Sequence, residues 1–211
     1  MAMWQLSIAV RLIAKSGAAP GIDGAHGVLV ITMMRLDGLN TMTDDPESFA
    51  LRSATPDDEG FLCELYASTR KDEMAAWGWD PIQEQMFLKL QFTAQRRHYD
   101  IAFPDADHKI VLSAGRPVGR ILVFRTGSEI RLVDIALLPE HRCGGIGASL
   151  IRRLLEEAQS TGKPVTLHVE KLNRAVSLYQ RLGFSVINDT GADHKMQWLP
   201  DQIIHQSETA T

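Results

Sequence analysis

The sequence predicts an α/β fold, with a mixed, mostly antiparallel central sheet flanked by helices. Three observations carry that expectation. From residue 48 onward, short apolar strand-like runs alternate with amphipathic helical segments. Ala114-Gly115-Arg116-Pro117 is a turn signal between two apolar runs, as in a hairpin. The apolar run Ile130–Leu138 leads through a glycine-rich stretch into the start of an amphipathic helix.

Taken in order, Phe49–Arg52 reads as the first strand. Thr55-Pro56-Asp57-Asp58 then offers an N-cap, a proline at the first helical position and early acids. Phe61, Leu62, Leu65 and Tyr66 give that helix an apolar face. Asp80-Pro81-Ile82-Gln83 is a second capped start with Gln83 at the capping-box position, and Ile82, Met86, Leu90 and Thr93 follow on one face. Lys109–Ser113 and Val118–Arg125 form the hairpin strands, and Ile130–Leu138 forms the next strand. The Gly145–Thr161 helix is expected to bury Leu150, Ile151, Leu154, Leu155 and Ala158, with Arg152–Glu156 and Arg153–Glu157 paired on its outer side. Val165–Val169 is a strand, and Ala175, Leu178, Tyr179 and Leu182 line the helix after it. Strands near 185–188 and 195–199 close the sheet.

Composition bounds the function classes. The chain has 211 residues, a net charge of −4 and a sequence pI near 6.0, which points away from nucleic acid. Hydrophobic content of 45% and charged content of 23% are ordinary for a globular protein. No apolar run approaches the ~18 residues of a membrane span. Cys63 and Cys143 are lone cysteines without a C-x-x-C pair, which fits a reducing cytoplasm, and the histidines lack metal-ligand spacing, so no metal is expected. Residues 1–47 read as an extension of unassigned role: Trp4, Leu6, Ile8, Val10 and Leu12 alternate like a strand, 27–36 is apolar enough for another, and Ala18-Ala19-Pro20-Gly21 marks a break between them. Residues 48–200 form the main domain and 201–211 a tail.

The segment Arg142-Cys143-Gly144-Gly145-Ile146-Gly147-Ala148 has the makings of a phosphate cradle. A helix N-terminus presents backbone N–H groups without partners and the positive end of the helix dipole, and glycines let a ligand approach the backbone. Spacing separates three kinds of cradle. A P-loop fails, because Gly162-Lys163 has Glu157 where the first glycine belongs and Pro164 after it. A dinucleotide fingerprint is weak, because Leu150 stands at its third glycine position. Arg/Gln-x-x-Gly-x-Gly/Ala is filled without a gap by Arg142, Gly145 and Gly147.

A second segment lies downstream, Asn173-Arg174-Ala175-Val176-Ser177-Leu178-Tyr179-Gln180-Arg181-Leu182-Gly183-Phe184. With both motifs in this order, residues 48–200 resemble the GNAT superfamily of acyl-CoA-dependent N-acetyltransferases. The resemblance implies a GNAT-like acyltransferase fold with acetyl-CoA as cosubstrate. Arg142, Cys143, Gly144, Gly145, Ile146, Gly147 and Ala148 would hold the coenzyme A pyrophosphate. Backbone N–H groups near Ala136, Leu137 and Leu138, exposed by a splay between the fourth and fifth strands, would hold pantetheine and polarise the thioester carbonyl. Asn173 would contact pantetheine or a carbonyl, although asparagine there is also a good N-cap. One departure stands out: the family turn commonly reads Arg-Gly-x-Gly-x-Gly, and Cys143 replaces its first glycine. A Cβ there disfavours positive φ, and Gly144 is expected to restore that freedom one residue later.

Acetyl transfer to an amine needs a neutral nucleophile, a polarised carbonyl and a proton for the leaving thiolate. By resemblance, Tyr179 is the general acid; the competing reading is a core tyrosine. His168 lies where some relatives place a histidine or glutamate base, against the reading of a structural histidine on a sheet. Asp134, a lone acid in Leu132-Val133-Asp134-Ile135-Ala136, would serve as base, as the amine's counter-charge or as a structural hydrogen bonder. Glu73, Trp77 and Trp79 lie where the family builds its acceptor pocket, and would frame an aromatic and acidic mouth for an ammonium unless the tryptophans cover the sheet edge. The expected acceptor is a small amine, an amino acid or a peptide N-terminus, met by a monomer or homodimer with no nucleic acid or membrane. A non-catalytic acyl-CoA-binding sensor on the same fold is the alternative.

Overall fold

The computed structural model describes residues 49–75 and 77–201, without the side chains of residues 72, 73 and 75. The extension 1–47 and its two expected strands lie outside the described residues, as does the tail beyond 201. Strand β1 is Phe49–Ser53, and helix α1, Glu59–Ala75, follows a 3-10 turn at Pro56–Asp58. Helix α2 is Pro81–Ala102, β2 Asp107–Ser113, β3 Arg116–Arg125 and β4 Ile130–Leu137. A 3-10 turn at Pro139–His141 precedes α3, Ile146–Thr161. Then come β5 Val165–Glu170, α4 Ala175–Arg181, β6 Ser185–Asp189 and β7 Asp193–Trp198.

Local chemistry sets the element starts and turns. Asp80 accepts from the N–H groups of Ile82 and Gln83 at 2.9 and 3.0 Å, ahead of Pro81 at the first helical position. The β2–β3 hairpin turns on Ala114 and Gly115, both at positive φ (47° and 76°), as a two-residue hairpin with native strand twist requires. The Asp58 carboxylate accepts from the Thr55 N–H at 2.8 Å and from Arg52 at 2.6 and 2.7 Å, tying β1 to the start of α1.

The seven strands form one sheet in the order β1-β2-β3-β4-β5-β7-β6. Every neighbouring pair is antiparallel except β4 and β5, which run parallel. The mixed, mostly antiparallel sheet expected from sequence is therefore present. One face carries Val111, Ile121, Val123, Ile130, Leu132, Leu167 and Met196, which pack against Leu150, Ile151 and Leu154 of α3 and Tyr179 of α4. The other face packs Ile110 against Leu62 and Tyr66 of α1 and Leu88 and Phe92 of α2.

Two expectations about helix faces are corrected. Ile82, Met86 and Leu90 are 71, 70 and 69% exposed, while Leu88 and Phe92 are buried. Helix α2 thus has two apolar stripes, and the sheet takes the one that carries the larger ring. Neither the expected Arg152–Glu156 pair nor the expected Arg153–Glu157 pair forms. Glu157 accepts instead from Arg125 at 2.6 and 2.8 Å, and Arg153 lies over the Phe49 ring at 4.3 Å.

Candidate active site

The centre of the sheet opens between β4 and β5. The two strands pair over only three residues, Ile130–Leu132 against Val165–Leu167. Beyond that point β4 continues beside β3, and β5 continues beside β7. The break coincides with a bulge: Leu122 faces Asp134 but Val123 faces Leu132, so Val133 is the extra residue. A bulge bends and twists its strand, which carries β4 away from β5. Leu138 N–H donates to Val118 O at 2.9 Å. Since antiparallel pairs alternate in direction, the Ala136 N–H also faces β3, and the N–H groups of Ile135 and Leu137 face the gap. The expectation for Ala136, Leu137 and Leu138 is therefore corrected to Leu137 as the backbone donor that the gap can use, with Ile135 as a neighbour that sequence reasoning missed.

Gly119 is another missed residue. It pairs with Leu137, and a Cβ there would stand 2.4 Å from Ala136 O and 2.5 Å from Leu137 Cδ2. Its lack of a side chain lets β3 hold the end of β4 in place. Nothing in the local context Val118-Gly119-Arg120 signals this, because the close approach is made by the next strand, β4.

The glycine-rich turn follows directly from β4. Gly145 is the N-cap of α3 at φ 90° and provides no side-chain cap, so the helix's leading N–H groups are left for a ligand. The first intrahelical bond is Ser149 N–H to Gly145 O at 3.0 Å. That leaves Ile146, Gly147 and Ala148 at the free N-terminal positions. A Cβ at Gly144 or Gly145 would meet nothing within 4 Å, so the approach to the turn is open. Such an arrangement suits an anion such as a pyrophosphate. The Arg142 side chain folds back, and its Nε donates to Leu137 O at 2.8 Å, tying the turn to the end of β4. The expected relief at Gly144 is corrected: Cys143 itself takes the left-handed conformation at φ 62°, and Gly144 does not.

Tyr179 lies on α4 and is 6% exposed, its ring edge-on to Phe184 at 5.7 Å. Burial first, and the negative charge of Asp134 second, push its hydroxyl pKa above the ordinary tyrosine value. It therefore holds its proton at working pH. Asn173 Oδ1 accepts from Ala175 N–H at 2.9 Å and its carbonyl accepts from Val176 N–H at 3.1 Å, so it caps the start of α4.

His168 and Asp134 share the other face of the sheet. The neighbours of His168, Leu167 and Val169, point into the α3/α4 core, so strand alternation directs His168 away from it. Its ring is partly exposed and partly shielded. Shielding first, then the charges of Arg131 and Lys195, lower its pKa below the usual histidine value and keep the imidazole neutral at pH 7. Asp134 forms an ion pair with Arg120, a residue only 6% exposed. Arg120 also donates to Gln95 Oε1 at 2.9 Å and lies 5.7 Å from the Tyr99 ring centre, both on α2. The lone acid of β4 thus has a buried cationic partner that sequence reasoning did not identify, because the partner comes from the adjacent strand.

At the expected acceptor mouth, Trp77, Trp79 and Phe87 form an aromatic cluster with centroid separations of 4.8, 5.6 and 5.0 Å. Trp77 packs into the α1/α2 core, whereas Trp79 is 41% exposed. The side chain of Glu73 lies outside the described residues.

Residues 62–184 match the sequence model of the acetyltransferase (GNAT) family. The chain belongs to the GNAT family. It is an acyltransferase of the N-acetyltransferase class. Over 125 residues the GNAT chain is 26% identical to the uncharacterized N-acetyltransferase YjcF of Bacillus subtilis (strain 168), covering 57% of this chain and 88% of that protein. Among solved structures, the PaiA N-acetyltransferase of Thermoplasma acidophilum in complex with coenzyme A superposes with a TM-score of 0.56 at 18% identity, over 72% of this chain and 99% of that one. A chimera of the spermidine N-acetyltransferase SpeG from Vibrio cholerae and hSSAT gives a TM-score of 0.50 at 20% identity, over 74% and 98% of the respective chains. At these identities the structural likenesses establish the GNAT fold and nothing finer.

Proposed function

We propose that this GNAT acyltransferase moves the acetyl group of acetyl-CoA directly to a primary amine within a ternary complex. The observation that carries the reading is the opened β4–β5 gap, which adjoins an uncapped helix N-terminus. Tyr179 lies on the α3/α4 face of the sheet, and His168 and Asp134 lie on the other. The turn Arg142–Ala148 is suited to the donor's pyrophosphate, and Asn173 lies on the far side of the gap at the head of α4. Leu137 N–H, which faces the gap, would polarise the thioester carbonyl, and one such donor is worth about 2.7–4 kcal/mol in comparable oxyanion holes. His168, neutral at pH 7, would take the proton the amine must lose, directly or through water. Tyr179, kept protonated by burial, would give a proton to the departing thiolate. Asp134, held by Arg120, acts as a fixed negative charge at the gap rather than as the base. Trp79 is the exposed member of the acceptor mouth.

Acceptor candidates remain a small amine, an amino acid or a peptide N-terminus, in a reducing cytoplasmic setting that suits the unpaired Cys63 and Cys143. A thiol-release assay with acetyl-CoA across an amine panel tests the reading. Turnover with at least one amine is expected. Acetyl-CoA binding without any turnover would instead favour a sensor. With that amine in hand, Tyr179→Phe retains the ring packing against Phe184 and is expected to lower kcat about 10²-fold or more with little change in KM. An unchanged kcat would remove Tyr179 from the acid role.

A further inference from the structure

A cavity of about 270 Å³ lies between the start of α1, the C-terminal half of α2 and strands β2 and β3. Its inner end adjoins the gap through Arg120, which lies opposite Ala136 and pairs with Asp134, but its body extends away from it. Its strand residue His108 lies opposite Leu122, toward the end of β3, whereas the glycine-rich turn leaves β4 beside Gly119, at the other end. The cavity is also too small for a nucleotide-bearing donor, falling just below the ~300 Å³ at which sites for drug-sized ligands begin.

Its lining is graded. Leu62, Phe92 and Phe103 supply apolar and aromatic walls. Glu59 and Arg96 stand at its exposed rim and neutralise each other at 3.0 Å. The inner polar groups are Tyr99, His108 and Arg120, from three different elements, and each can donate a hydrogen bond. Arg120 places Nη2 on Gln95 and Asp134, and a guanidinium carries five N–H donors. His108 Nε2 is buried and makes no hydrogen bond among the described residues. A buried polar atom left without a partner costs stability, so the protein maintains here an unfilled hydrogen-bonding capacity. Acids near His108 do not fill it. Asp58 is bound by Arg52, Asp134 by Arg120, and Asp100 is exposed on α2.

We propose that this cavity is a second ligand site, for a compact aromatic carboxylate whose acid group meets His108 and Arg120 while its ring lies among Leu62, Phe92 and Phe103. The inner end is rich in donors, which selects an acceptor group, while the lining carboxylate Asp100 is exposed on α2. The walls select an apolar, planar body. The size excludes anything much larger than a substituted benzoate.

Sodium benzoate, titrated calorimetrically into the full chain with and without acetyl-CoA, tests the site. One saturable site with Kd on the order of 1 mM is expected, unaffected by acetyl-CoA and at least about tenfold weaker for neutral benzamide. Ala106→Leu fills the cavity and should abolish benzoate binding, with acetyl-CoA affinity and Tm retained as the check that it folds. His108→Leu preserves the wall but removes the polar contact, and should weaken benzoate about tenfold, which decides the matter if the first variant fails to fold. Absence of saturation, displacement by acetyl-CoA, equal affinity for benzamide, or wild-type affinity in both variants would each overturn the proposal. Acetyl transfer is read separately by thiol release.

Discussion

Cys143 holds a left-handed backbone at φ 62° in the turn that leads to α3. For an L-residue with a Cβ that conformation costs about 1–2 kcal/mol, whereas the extra unfolded-state freedom of glycine costs about 0.4–1 kcal/mol. The first effect is larger, so Cys143→Gly is expected to stabilise the fold by about 0.5–1 kcal/mol, seen as a Tm rise of roughly 2 °C. A lower Tm would mean that the Cys143 side chain makes an offsetting contact. His168 gives a second expectation at this scale. Its depressed pKa means that the proton-accepting form is present above that value and lost as pH falls through it. The kcat/KM of the wild type should therefore rise with pH on its acid side, through a pKa below the usual ~6.5. His168→Gln should flatten that limb and lower the plateau about 10²-fold. An acid limb that survives the substitution would assign it to another group. The residues of the turn were legible because their spacing is local. Arg120, Gly119 and Ile135 were not, since their significance comes from β4 or from a bulge.

At the level of elements, α2 shows both what local sequence determines and where it stops. Its start was readable from Asp80-Pro81, and the side chain of Asp80 serves two N–H groups. Asp80→Ala should cost about 1 kcal/mol, lowering Tm by about 2–4 °C with unchanged transfer activity at 25 °C. A neutral result would mean that water or another side chain caps the helix equally well. The face of α2 was misread. Ile82, Met86 and Leu90 recur at helical spacing, but so do Leu88 and Phe92, and a period alone does not say which stripe meets the sheet. That choice is made by tertiary fit against Ile110 and Tyr66. By contrast, α3 has a single apolar stripe, and it buries Leu150, Ile151, Leu154 and Ala158 as expected.

Across the whole molecule, the alternation of strands and helices was enough to foresee a mixed sheet, and two motifs were enough to foresee the family. The strand order was harder, because the insertion of β7 between β5 and β6 is a long-range pairing that no local pattern encodes. The three-residue junction of β4 with β5 has a consequence for dynamics. In most sheets the amides that exchange with solvent fastest lie on the outer strands, and the central ones are protected. Here the pattern inverts locally: Ile135 and Leu137 belong to a central strand yet offer their amides to an open seam. Deuterium should enter them as quickly as it enters β6, while Leu132, just before the bulge, resists. Addition of acetyl-CoA should slow exchange at Leu137 specifically. Uniform protection along β4 before addition would mean that the seam is closed in solution. Slow opening of an otherwise complete sheet would then limit the access of any donor.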